Sequence, residues 1–176
     1  MAIEWDGKKP QEILDEELEK ARVAIIHNIR ESGQWASGRT GTSMRVETTD
    51  DTGTLYGRKA FGTLETGRKG GRVPRLFNAI IYQWMMDKGI HGRPLPYKIQ
   101  GNHKYSPQER GDRAMAGAIA YTIRKKGTRL YREGGRDDVY TPVVRATIRR
   151  ITDRFAGLVE AMIENIRLND IGDNRV

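Results

Sequence analysis

Residues 141–168 read TPVVRATIRRITDRFAGLVEAMIENIRL and hold the clearest periodicity in the chain. Val144, Ile148, Ile151, Phe155, Leu158, Met162 and Ile166 recur at steps of three and four, the spacing that keeps side chains on one face of an α-helix. Thr141 and Pro142 mark its start, because a proline in the first turn sacrifices no helical hydrogen bond. Unbroken to Leu168, such a helix is ~40 Å long at ~1.5 Å per residue. That exceeds what the short strands predicted upstream can cover, so part of the stripe is expected to pack against another subunit. The alternative is an ordinary core helix.

Moving towards the N-terminus, three more helices are predicted. Ser106, Pro107 and Glu109 form a capping box, in which serine and glutamate each satisfy a free backbone donor. Ala114, Ala118, Ile119 and Ile123 follow, Gly127 stops the helix, and the small residues Ala116, Gly117 and Ala120 permit close packing. Before it, Val73 and Pro74 open a helix carrying Phe77, Ile80, Ile81, Trp84 and Met85, which closes at Lys88 and Gly89 and is expected to lie on a sheet. The first helix starts at Pro10, with Glu12, Asp15, Glu16 and Glu17 near the positive end of its dipole. Its apolar face is Leu14, Leu18, Ala21, Ile25 and Ile29, and Gly33 ends it.

Between the first two helices the period changes to two. Thr42, Met44, Val46 and Thr48 alternate with Ser43, Arg45 and Glu47, the pattern of a half-buried strand. Asp50, Asp51 and Gly53 supply a turn, Thr54, Leu55 and Tyr56 a returning strand, and Ala60 to Leu64 a third. The expected fold class is α+β: a small antiparallel sheet of about three or four strands, packed by about four helices, the last one long. One domain over residues 1–176 is expected, with extended arms at 91–105 and 128–140.

The chain has no cysteine, which removes disulfides, thiolate metal sites and cysteine nucleophiles. Its start, with Glu4, Trp5 and Asp6, lacks the apolar run of a signal peptide, and no stretch approaches the length of a membrane span. The net charge of +8 is unevenly placed. Basic residues gather at Arg58, Lys59, Arg68, Lys69, Arg72 and Arg75, at Arg124, Lys125, Lys126, Arg129, Arg132 and Arg136, and at Arg145, Arg149, Arg150 and Arg154. Such clusters suit nucleic acid or an acidic protein face.

Tests for catalytic chemistry fail one after another. Gly62 and Gly67 have the separation of a phosphate-binding loop, but Arg68, Lys69 and Gly70 stand where lysine and then serine or threonine are required. His27, His91 and His103 have no metal-ligand spacing. Glu16 with Glu17, and Asp137 with Asp138, are adjacent and diverge in regular structure, so neither makes a proton-sharing pair. Glu65 is expected to pair with Arg68 or Arg72 rather than to act as an acid or base. The expectation is a protein that is no enzyme and uses no metal or cofactor.

The run from Ser37 to Trp84 resembles the small tail-completion, or neck, proteins that join head to tail in long-tailed bacteriophages. The resemblance rests on Gly38-Arg39-Thr40 leading into Ser43-Met44-Arg45-Val46, on Ala60-Phe61-Gly62-Thr63-Leu64-Glu65-Thr66-Gly67, and on Val73-Pro74 before an apolar helix. About a hundred residues follow Pro74, so the later helices elaborate on the family pattern. The resemblance implies a non-catalytic virion subunit in a ring, commonly sixfold, touching copies of itself and the neighbouring connector and tail-tube proteins, with DNA only as passing cargo and no membrane. The contact residues it suggests are Arg58, Phe61, Glu65, Arg68, Arg72 and Arg75. The rival expectation is a nucleic-acid-binding protein using the same arginines.

Overall fold

The computed structural model of the protein describes residues 7–98, 101 and 103–173, with side chains of the last helix described as far as Asn165. Glu4, Trp5 and Asp6, and the side chains of Ile166 and Leu168, lie outside the described residues. The elements in chain order are α1 (Pro10–Glu31), α2 (Arg39–Thr42), β1 (Arg45–Thr48), β2 (Gly53–Tyr56), α3 (Thr63–Thr66), α4 (Phe77–Asp87), α5 (Pro107–Lys126), α6 (Arg129–Arg132) and α7 (Thr141–Asp173). They make an α+β fold that is mostly helical. The chain divides into two compact units, the first built from Met1–Ser32, Ser43–Arg58 and Asp137–Val176, the second from Gly33–Thr42 and Lys59–Arg136.

In the first unit β1 and β2 form an antiparallel hairpin, with Arg45 opposite Tyr56 and Thr48 opposite Gly53. Met44 is buried just before β1, Val46 and Thr48 are half-buried, and Arg45 and Glu47 are exposed, as the period-two pattern requires. The hairpin lies on α1. Gly53 allows that approach, because a Cβ there would come within 2.6 Å of Leu18 Cδ1. The sheet has two strands where three or four were expected. Ala60 to Leu64 instead forms a turn leading into α3. Thr63 Oγ1 donates to Ala60 O at 2.7 Å and Thr66 Oγ1 to Gly62 O at 2.8 Å, and these hydroxyl bonds to preceding carbonyls favour a helical turn over a strand.

Helices α1 and α7 run together, and a buried charge joins them. Glu17 is almost completely buried, yet it accepts from Arg150 Nε at 2.6 Å, Arg154 Nη1 at 3.0 Å and Lys20 Nζ at 3.0 Å. Arg150 also donates to Thr147 Oγ1 at 3.1 Å, and Arg154 reaches Glu16 at 3.0 Å. At the other end of α1, Asn28 Nδ2 donates to the buried Val139's carbonyl at 2.9 Å. Ile13, Ile25 and Ile29 complete the apolar side of α1.

The second unit centres on α4 and α5. Ile81 and Met85 of α4 meet Ala116 and Ala120 of α5, and Phe77, Tyr82, Ile119 and Ile123 pack around them. The two alanines are one turn apart, which lets the helices approach closely, as the small-residue run foretold. The expectation that α4 lies on the sheet is corrected: its apolar face is filled by α5, while the hairpin belongs to the first unit and packs on α1. The serine half of the expected capping box is realised, with Glu109 N–H donating to Ser106 Oγ at 3.2 Å, while the Glu109 carboxylate accepts from Arg113 Nη2 at 2.8 Å. Gly127, with φ +83°, ends α5, and Gly89, with φ +64°, follows α4.

The Glu16–Glu17 cluster makes the first unit sensitive to acid. Hydrogen bonds from Lys20, Lys8 and Arg154 hold the Glu16 carboxyl at about 2, below its ordinary 4.5. Burial alone raises the Glu17 carboxyl, but hydrogen bonds from Arg150 and Lys20 outweigh it and keep it below the ordinary value. Both folded values are depressed, so the stabilisation is present above pH ~4.5 and is lost as the pH falls towards ~2. Thermal unfolding followed by circular dichroism should show a plateau at neutral pH and a decline through that window. Glu17→Gln, which faces three cations with a neutral amide, should cost roughly 2–4 kcal/mol at neutral pH and flatten the decline.

Candidate functional site

The two basic segments of the second unit meet at a backbone clasp. Gly71 N–H donates to Arg124 O at 2.8 Å and Thr128 N–H to Arg68 O at 2.8 Å, while Arg68 N–H donates to Thr128 Oγ1 at 2.9 Å. The segments touch so closely that only glycine fits at three points. A Cβ on Gly67 would lie 2.4 Å from Tyr131 N, one on Gly70 2.9 Å from Lys125 O, and one on Gly127 2.6 Å from Arg68 O. Gly67 also needs its left-handed φ of +67°. Its N–H is committed to Thr63 O at 3.0 Å, so it is not presented to a phosphate. Further along, Arg136 N–H donates to Glu65 O at 2.8 Å, so the stretch from residue 128 to 136 is tied down at both ends.

The clasp gathers cations. Lys69, Arg72, Arg75, Arg124, Lys125, Lys126 and Arg132 are exposed, and among the described residues none of them is held in an ion pair. Arg129 is paired with Glu133 at 2.7 Å. The charge imbalance extends over the whole second unit, where 18 basic minus 5 acidic side chains give +13; the remaining 13 basic and 18 acidic side chains give the first unit −5. The modest +8 of the whole chain is thus the sum of two opposed fields.

Of the six contact residues suggested by sequence, the structure brings five into this unit. Arg58 belongs to the first unit, where its N–H donates to Ser43 Oγ at 3.3 Å. Arg72 and Arg75 are exposed on the segment after the clasp, and Phe61 is half-buried before α3. Glu65 is only 3% exposed, and its backbone carbonyl accepts from Arg136 N–H. Arg68 is half-buried and structural. Its Nη2 donates to Arg72 O at 2.6 Å, its guanidinium lies 5.6 Å from the Phe77 ring centroid, and its Nε is buried with no hydrogen-bond partner among the described residues.

One contact candidate escaped the sequence reading. Leu76 precedes α4 in the left-handed region, with φ +59° and ψ +30°, and is 74% exposed. Leucine adopts that conformation at a cost, so a leucine held there and offered to solvent is a marker of function. It borders an open groove of about 520 Å³ lined by Val73, Pro74, Phe77, Tyr82 and Arg113. Its positive φ has no sequence signal, since glycine or asparagine would announce it and leucine does not.

Asp112 and His91 serve a structural contact in the second unit. Asp112 is buried and accepts from Gly92 N–H at 2.7 Å and Gln108 Nε2 at 2.9 Å, with His91 Nδ1 at 3.4 Å. Burial raises its carboxyl, but these donors together hold it below the ordinary value. They fasten the loop after α4 to the start of α5, where Gly111 and Arg93 O touch so closely that a Cβ would lie 2.0 Å away. His103 stacks on Tyr97 with ring centroids 3.7 Å apart. His27 is exposed on α1. Among the described residues no group of three or more histidines and acids is placed to hold a metal ion, and no helix is long and apolar enough to cross a membrane. No protein-family model, curated protein or solved structure matches the chain.

Glycine substitutions separate the clasp from ordinary turns. Gly67→Ala, which would meet the Tyr131 backbone in a left-handed conformation, should lower stability by roughly 2 kcal/mol or more. Gly62→Ala, with nothing within 4 Å of its Cβ and a φ of −60°, should be neutral or slightly stabilising. Chemical denaturation of the two variants beside the parent chain measures the difference.

Proposed function

We propose that the chain is a non-catalytic structural subunit of a phage neck or tail-completion assembly, which grips acidic protein neighbours through its second unit. The observation that carries this reading is the clasp: seven exposed cations, none of them held in an ion pair among the described residues, on a backbone fixed by close glycine contacts. A rigid cationic face on a unit of net +13 supports binding to a large anionic surface rather than turnover of a small substrate. Leu76 gives the same unit an apolar anchor, and buried apolar anchors commonly dominate interface energy. The resemblance of Ser37–Trp84 to neck proteins supplies the kind of assembly, a ring at the junction of head and tail.

A second reading, nucleic-acid binding, is favoured by the same charge. The two separate by salt and by shape dependence. Phosphate contacts release counterions, so DNA affinity carried by the clasp falls steeply between ~50 and ~200 mM salt. A protein interface with an apolar anchor keeps much of its affinity there and depends on Leu76.

Leu76→Asn is the discriminating variant, because asparagine accepts the left-handed conformation. Its thermal stability should equal or exceed that of the parent by up to ~1 kcal/mol, whereas attachment to phage tails in an extract, scored by negative-stain imaging, should weaken by ~10-fold or more. Lys125→Glu/Lys126→Glu should likewise fold normally and fail to attach. Monomers that never join tails but retard labelled DNA at ~150 mM salt would overturn the neck reading in favour of the second.

A further inference from the structure

The groove beside Leu76 is apolar where the chain around it is charged. Val73, Pro74, Leu76, Phe77 and Tyr82 line its open volume of about 520 Å³. That volume lies within the ~300–1,000 Å³ of pockets that seat a ligand. Arg72 and Arg75 flank Val73 and Pro74 in the sequence, are exposed, and are in no ion pair among the described residues. Arg113 adds a third cation to the lining, its guanidinium 5.0 Å from the Tyr82 ring centroid, although Glu109 accepts from its Nε at 3.0 Å. The matching occupant brings large apolar side chains together with carboxylates.

The chain supplies such a segment itself. Residues 1–6 read MAIEWD and lie outside the described residues. Side chains alternate along an extended backbone, so Ile3 and Trp5 would fall on one side of it and Glu4 and Asp6 on the other. Tryptophan is among the residues that most often carry interface energy. The other positions outside the described residues, 99–100, 102 and 174–176, hold no acidic side chain. We propose that residues 2–6 of one copy dock in the Leu76 groove of a second copy, with Ile3 and Trp5 against Leu76, Phe77 and Tyr82, and with Glu4 and Asp6 towards Arg72 and Arg75. The groove belongs to the unit of net +13 and the segment to the unit of net −5, so the contact joins unlike surfaces of successive copies. A head-to-tail contact of this kind repeats from copy to copy and can close a ring.

The inference rests on the reading of Leu76 and its neighbouring arginines as contact residues, and it names one of their partners. Its readouts need no tail. A chain that never joins tails yet binds the segment leaves the inference standing while the neck reading falls, and a chain that joins tails without binding the segment does the reverse.

The test keeps the full chain and disables its own segment with Ile3→Ser/Trp5→Ser. A peptide of sequence MAIEWDG, carrying fluorescein on an added C-terminal lysine, should bind this variant saturably in fluorescence polarisation at ~50 mM salt, where surface charge is weakly screened. Leu76→Asn, and separately Arg72→Glu/Arg75→Glu, should each weaken binding by ~10-fold or more, as should serine in place of both Ile3 and Trp5 of the peptide. Cysteines, which the chain otherwise lacks, identify the donor copy. Chains carrying Ile3→Cys, mixed with chains carrying Ala79→Cys in the groove lining, should cross-link to one another through a short bis-maleimide. Thr122 is exposed about two and a half turns beyond Arg113, on the opposite face of α5, so chains carrying Thr122→Cys should not cross-link to Ile3→Cys. No binding of the peptide at ~1 mM, or binding that Leu76→Asn leaves unchanged, would overturn the proposal. Mixed chains that stay uncoupled, while a single chain bearing both Ile3→Cys and Ala79→Cys links to itself, would overturn it equally, because the segment then sits in its own groove.

Discussion

Three hydrogen bonds and three glycines hold the segment Gly67–Gly71 against the end of α5 and the start of α6, and most of what the second unit presents depends on that contact. Backbone groups so close exclude solvent from each other and must satisfy one another. Gly71 and Thr128 do so with carbonyls of the opposite segment, and Arg68 N–H does so with the Thr128 hydroxyl. Around that contact Lys69, Arg72, Arg124, Lys125 and Lys126 are exposed, whereas Arg68 is half-buried. The positive face surrounds the point where the chain closes. Mutual repulsion among these cations opposes the clasp, and the glycine fit with its hydrogen bonds offsets that repulsion.

The first unit solves the opposite problem. Its excess of acid is concentrated on α1, and the buried Glu17 is tolerated because Arg150, Arg154 and Lys20 surround it. A buried carboxylate with three charged donors fixes the rotation of α7 about its own axis more firmly than apolar contact would, since only one rotation brings both arginines to Glu17. Of the stripe read from the sequence, Leu158 is buried and Ile151 and Phe155 are half-buried, while Val144, Ile148 and Met162 are exposed.

Much of this was legible in the sequence. Helix starts at Pro10 and Ser106 and stops before Gly89 and Gly127 are local signals, and they fall where capping chemistry puts them. The hairpin followed from alternation and a turn. The expected third strand did not form, because Thr63 and Thr66 bond back to their own turn, a competition that β-propensity does not weigh. The clasp itself had no sequence signal, because a glycine chosen for a backbone 60 residues away looks the same as one chosen for a turn. The partition into units was hidden for a related reason: the chain passes between them at Ser32, Thr42, Arg58 and Arg136 without any linker-like composition. Periodicity located the stripe of α7, whereas the ion pairs from Arg150 and Arg154 to Glu17 beside it carry no periodic signal.

If the clasp is the constraint on which the second unit is built, its amides belong to the unit's core. Hydrogen exchange of the free chain, resolved to single amides by NMR at neutral pH, measures this directly. Gly71 and Thr128 N–H should exchange with protection comparable to the central amides of α5, because they open only when the unit opens. Exchange at the rate of an unstructured glycine-rich loop, with α5 still protected, would contradict the account.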